Sequence, residues 1–175
     1  ALLATDFPES PVGGGAASPS GQLIASDSRA EDGMLELLDL AAQVMNEERF
    51  SAAALVLVNG LAAYYRSTQA TLGWLQGDSM RVVAISHLDR FERNTQNVRL
   101  LEDAFSDVLG QEGEIWFPHE KSDGHLQISQ EELRNTLGFA EQCSIAIREG
   151  SGLTRAVVFL GFQEPLSERP RMDNL

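Results

Sequence analysis

The stretch Gln69 to Leu88, QATLGWLQGDSMRVVAISHL, decides the fold. Apolar and polar residues alternate on either side of Gly77-Asp78-Ser79, the pattern of two strands joined by a tight turn. Leu72, Trp74, Met80, Val82, Ala84 and Ser86 are expected on one side, and Thr71, Gly73, Leu75, Arg81, Val83 and Ile85 on the other. An isolated hairpin is marginally stable in water. Helical patterns precede it and two more apolar strands follow far downstream, so the expected architecture is α+β: one central antiparallel sheet with helices packed on both faces.

Upstream, residues 1–32 are rich in Gly, Ser and Pro and read as a flexible leader. The run Gly13-Gly14-Gly15 lacks the following Lys-Ser or Lys-Thr of a phosphate-cradling loop. Asp32 is placed to cap a helix carrying Met34, Leu37, Leu38, Ala41, Val44 and Met45 at helical spacing. Ser51 is expected to cap a second helix running to about Tyr65, with Phe50 stapled onto Leu55. That helix is apolar nearly all round, as a helix between the sheet and the first helix should be.

Downstream, Val98, Leu101, Phe105 and Val108 mark a helix from about Asn94 to Leu109, and Glu114 to Phe117 a short strand stopped by Pro118. A polar loop from His119 to Ile128 leads to a short helix with Ser129 and Glu132 as a capping box and Gly138 as its stop. Gln142 to Arg148 and Leu153 to Phe162 read as the last two strands, the second apolar on both sides like a covered central strand. Residues 33–164 make the expected domain and 165–175 an exit linker.

Composition excludes several classes. A formal net charge of -13 disfavours extended contact with nucleic acid, which needs clustered Lys and Arg. The single cysteine, Cys143, forbids an intrachain disulfide and fits a reducing compartment. No apolar run approaches a bilayer span and no secretion signal is visible, so membrane attachment is expected only through parts outside this sequence, which reads as a piece of a longer protein.

The element order, with Thr71-Leu72-Gly73-Trp74-Leu75, Ala84-Ile85-Ser86-His87, Arg90-Phe91-Glu92-Arg93 and Leu101-Glu102-Asp103-Ala104, resembles a GAF domain. It is similar in particular to the GAF module N-terminal to bacterial membrane-fusion secretion proteins, the periplasmic adaptors with biotin/lipoyl-like parts. The resemblance covers about Gly33 to Glu164 and implies a GAF/PAS-like fold. It also implies a cytoplasmic regulatory role ahead of an envelope-spanning secretion or efflux adaptor, and a ligand between the sheet and the excursion Asp89 to Leu137. The signature of cyclic-nucleotide GAF domains is not visible.

Candidate ligand-binding residues are Trp74, His87, Arg90, Phe91 and Trp116. Aromatic walls with few polar groups make small-molecule sites, a strand-end histidine can hydrogen-bond a ligand, and Arg90 or Arg93 can receive a carboxylate or phosphate. Each has a commoner structural role: core aromatic, strand cap, solvated loop charge. His119, His125 and Cys143 lack metal-ligand spacing, and Gly150-Ser151-Gly152 lacks the pattern of a nucleophile elbow, so neither metal, cofactor nor catalysis is expected. The reading is a non-enzymatic sensory module for an unknown small molecule or partner protein. The alternative is a structural dimerisation domain without a pocket, with Leu35 and Ala42 exposed for a homodimer.

Overall fold

The computed structural model describes residues 20–111, 114–118, 127–170 and 172, with side chains from residue 31 onward except that of residue 127. The chain divides into two units, Ala1–Gly33 and Met34–Leu175. In the first, the described residues are helical; the second holds the sheet. The elements run α1 (Ser20–Met45), α2 (Phe50–Tyr65), β1 (Gln69–Gln76), β2 (Ser79–Ile85), α3 (Gln96–Ser106), β3 (Glu114–Phe117), α4 (Gln127–Leu137), β4 (Glu141–Arg148) and β5 (Thr154–Phe162). Helix α1 therefore starts upstream of the expected Asp32 cap and takes in part of the expected leader. The triple glycine and the loop histidines His119 and His125 lie outside the described residues.

The strands form one antiparallel sheet in the order β2-β1-β5-β4-β3. The central strand is β5, and its alternation shows why it reads as apolar on both sides. Ala156, Val158, Leu160 and Phe162 join the core under α2, while Val157 and Phe159 join the core under α3 and α4. Both faces are covered, so neither set of side chains can be polar without a buried partner.

The hairpin turn is shorter than expected, since Gln76 pairs Ser79 across Gly77 and Asp78. Gly77 takes φ 62, the left-handed value that glycine alone adopts without a Cβ penalty. In β2 the expected alternation fails: Leu72 faces Ala84 but Gly73 faces Val82, so Val83 is an extra residue in a bulge. The bulge moves Met80 and Val82 to the α3 face while Ala84 stays on the α2 face. A pattern of period two cannot register an inserted residue.

The α3 layer approaches the sheet where a Cβ atom is missing. A Cβ on Gly73 would lie 2.4 Å from Phe105 Cδ2, so that glycine lets α3 seat its buried phenylalanine on β1. The Thr95 hydroxyl accepts from the Val98 N–H at 3.4 Å to start α3, and Gly138 at φ 74 closes α4. Helix α4 begins at Gln127, so Ser129 lies within it instead of capping it. Helix α2 starts without a side-chain cap, and Phe50 sets its ring 4.9 Å from that of Trp74, edge to face, in place of the expected staple.

The outer edge of β2 is sealed by Glu102 of α3. Its carboxylate accepts from the Val82 N–H at 3.1 Å and from Arg81 Nη1 at 3.0 Å. An unpaired strand edge invites association with other chains, and this contact removes part of that edge. At the opposite edge, the segment after β5 does not run free like a linker. Arg169 Nε donates to Glu141 Oε2 at 2.8 Å, its guanidinium lies over the Trp116 ring, and Met172 is buried in the α2-side core.

Candidate functional site

A cleft of about 230 Å³ opens between the end of β2 and the two helices of the excursion, lined among others by Ile85, Leu88, Phe91, Thr95, Val98 and Leu137. Its shape follows from the turn after β2. Ser86 completes the ladder with β1, donating its N–H to Ala70 O at 2.8 Å and accepting the Ala70 N–H on Oγ at 2.9 Å. His87 then takes φ 64, and its N–H donates to Asn59 Oδ1 of α2 at 2.8 Å. A non-glycine residue there costs on the order of 1–2 kcal/mol, which the fixed hydrogen bonds on either side offset. The chain is thereby turned outward, and Phe91 folds back over the cleft, packed against the α3-side core.

The N-terminal turn of α3 and the C-terminal end of α4 supply the other walls. Val98 and Leu101 make an apolar floor, with Gln69, Thr95, Asn97 and the carboxylate of Glu92 around it. Gln69 Nε2 is engaged to Thr71 Oγ1 at 3.0 Å. An apolar floor with a few amide, hydroxyl and carboxylate groups can hold and orient a small organic molecule by shape and hydrogen bonds.

The five residues singled out in the sequence are not brought together. Only Phe91 lines this cleft. His87 and Arg90 are exposed in the turn and loop beside it. Trp74 and Trp116 pack on the α2 face, the opposite side of the sheet. They stand on β1 and β3 with β5 and β4 between them, so about 14 Å of sheet separates their strands at the usual spacing. Trp116 stacks on Phe162, ring centroids 6.0 Å apart, and serves the core.

Sequence reasoning missed Ile85, Leu88, Thr95 and Leu137. Thr95 carries a legible signal as a helix cap, but the others are ordinary apolar residues brought together from β2, the turn after it and α4.

Cys143 is buried, and burial pushes its thiol well above the ordinary cysteine range, which leaves it an inert core group. Tyr65 is pushed up to about 12, first by burial and then by Tyr64, Cys143 and Glu114. Burial opposes the charge of Glu141, yet the Arg169 guanidinium and the Leu166 N–H hold its carboxyl below the usual glutamate value. Among the described residues no group of three or more His, Cys, Asp or Glu could hold a metal ion, and no helix is long and apolar enough to cross a membrane.

The arrangement of one antiparallel sheet, two helices behind it and a helix-bearing excursion in front is that of a GAF domain, and solved GAF structures superpose on it. The GAF domain of a protein described as a sensor histidine kinase from Pseudomonas syringae pv. tomato matches with TM-score 0.58 and 11% identity, over 86% of this chain and 83% of that one. The nlh2 GAF domain of A. aeolicus in an inactive state matches with TM-score 0.51 and 11% identity, over 75% and 81%. The bacteriophytochrome RpBphP3 of R. palustris matches with TM-score 0.52 and 9% identity, over 79% of this chain and 33% of that one. No family model matches the sequence, and no curated protein does. The chain has the GAF fold, at 9–11% identity to these three structures.

Proposed function

We propose that this chain is a non-enzymatic sensory module that binds a small molecule in the cleft under Phe91. The observation that carries this reading is the cleft itself, apolar at its floor and polar at its rim, set between the sheet and the excursion. Its about 230 Å³ is below the roughly 300–1,000 Å³ usual for drug-sized ligands, so it suits a metabolite smaller than a nucleotide. Glu92 is the one titratable side chain among the lining residues, which supports the non-enzymatic reading. A ligand touching Phe91, α3 and α4 together would favour one arrangement of the excursion over another, which is what a sensor requires.

The finer assignment is a cytoplasmic regulatory domain of a membrane-fusion secretion or efflux adaptor. It is supported by the Thr71 to Leu75, Ala84 to His87 and Arg90 to Arg93 stretches. Membrane fractionation of the protein in its host tests it, and recovery wholly in the soluble fraction would count against it.

The cleft is tested by a thermal-shift screen of metabolites, with native mass spectrometry to catch a retained ligand. A ligand at a hundredfold excess over Kd stabilises by about 2.7 kcal/mol. Phe91→Ala should abolish that shift, and Trp74→Phe on the far face should leave it intact. Equal shifts in wild type and Phe91→Ala would refute the site.

A further inference from the structure

The part of α1 within the second unit presents three faces at 100° per residue. Leu37, Leu40 and Val44 turn inward onto the core. Met34, Leu38, Ala41 and Met45, spaced four, three and four residues apart, form a second stripe, with Leu35 and Ala42 beside it. This stripe is open to solvent: Met34 is 45% exposed, Leu38 58%, Leu35 64% and Met45 84%. The third face holds Glu36, Asp39 and Gln43, all exposed and bordering the stripe on the Leu35 side. From Glu31 to Glu48 there are six Asp or Glu and no Lys or Arg.

We infer that this outer face of α1 is the docking surface for a basic amphipathic helix of a partner protein. Met34, Leu38 and Met45, with Ala41 among them, run at a mean spacing of about 3.7 residues, close to the helical repeat, and Leu35 beside them widens a strip that a second helix can pack against. The charge beside the seam selects the partner. A second copy packed antiparallel on this stripe would lay Glu36 and Asp39 against their own counterparts, and like charges across an interface are unfavourable. A helix with its own apolar stripe edged by Lys and Arg meets both features together. The stripe lies away from the cleft, so this inference stands whether or not the cleft takes a ligand.

The test is fluorescence anisotropy with a labelled synthetic 18-residue helical peptide carrying Leu on one face and Lys at the margins, and a control with Glu in place of Lys. The Lys peptide is expected to bind at least about tenfold more tightly than the Glu peptide, and to weaken as salt shortens the reach of the charges. Leu35→Ser with Leu38→Ser, and separately Glu36→Lys with Asp39→Lys, should each weaken binding by about tenfold or more with the melting temperature unchanged, because all four side chains are solvent-facing. Reversal of Glu131 and Glu132 on α4 should leave binding as it is. Equal loss on reversing Glu131 and Glu132 would show nonspecific attraction to an acidic protein and overturn the proposal. So would a sedimentation dimer that Leu35→Ser with Leu38→Ser dissolves, in a protein that ignores the Lys peptide.

Discussion

Replacing Gly73 by alanine tests how the excursion is seated. The added methyl would lie 2.4 Å from Phe105 Cδ2, 2.7 Å from Cε2 and 3.0 Å from Met80 Cε. Ordinary carbon contacts are at about 3.5–4.0 Å, so the ring must retreat by about 1 Å. It has little room, being fully buried with the Phe159 ring centroid 6.2 Å away. Overpacking by one methyl in a tight core costs about 1–3 kcal/mol, and this geometry places the cost at the upper end. Removing the backbone freedom of glycine in the unfolded chain offsets about 0.4–1 kcal/mol. The net loss is then about 2 kcal/mol, a fall of about 4–8 °C in Tm for a domain near 150 residues. Urea titration of wild type, Gly73→Ala, Phe105→Leu and the double variant makes the assay. Phe105→Leu destabilises by opening a cavity, yet it removes Cε2 and replaces the rigid ring by a smaller branch that can turn away from the methyl. The double variant should therefore fall short of the summed losses by about 1 kcal/mol or more. Gly73→Ala within about 0.5 kcal/mol of wild type, or strictly additive losses, would refute the reasoning.

Two further outcomes follow from buried polar contacts. Gln142 Nε2 donates to Gln130 O at 3.0 Å and Oε1 at 2.7 Å, and Gln130 Nε2 donates to Ala104 O at 2.9 Å, which ties β4, α4 and α3 together. Gln142→Leu alone strands these buried acceptors and should cost about 1–3 kcal/mol by urea titration, while adding Gln130→Leu should restore part of the loss; a double variant no more stable than Gln142→Leu would contradict this. Glu141 titrates below its ordinary 4.5 in the folded chain, so its contribution is present above that value and disappears as pH falls through the lower folded value. Acidification should release Arg169 from Trp116 and change Trp116 fluorescence in a Trp74→Phe background, and an identical acid transition in Glu141→Gln would place the cause elsewhere.

The elements were written in local patterns. The two-sided apolar run Ala156 to Phe162 marked the central strand because a strand covered on both faces has no position for a solvated side chain. Gly138 and Pro118 punctuated their elements through backbone conformations and a missing donor that depend on the residue alone. The 3.6-residue stripe of α3 likewise identified the buried Val98, Leu101 and Phe105.

Other features depended on distant partners. The bulge at Val83 exists only in pairing with β1, so which face Met80 and Val82 would take could not be read from their own spacing. Trp74 and Trp116 looked equally suited to a pocket wall or a core, and the sheet order put them against α2 and the C-terminal segment. Arg169 and Met172 became part of the fold because Glu141 and Trp116 lie within reach in space, though not in sequence. Local periodicity and turn chemistry belong to a residue and its near neighbours, so the sequence alone carried them. A cleft shared by β2, the Phe91 loop, α3 and α4 is a property of separations between segments, and only packing sets those.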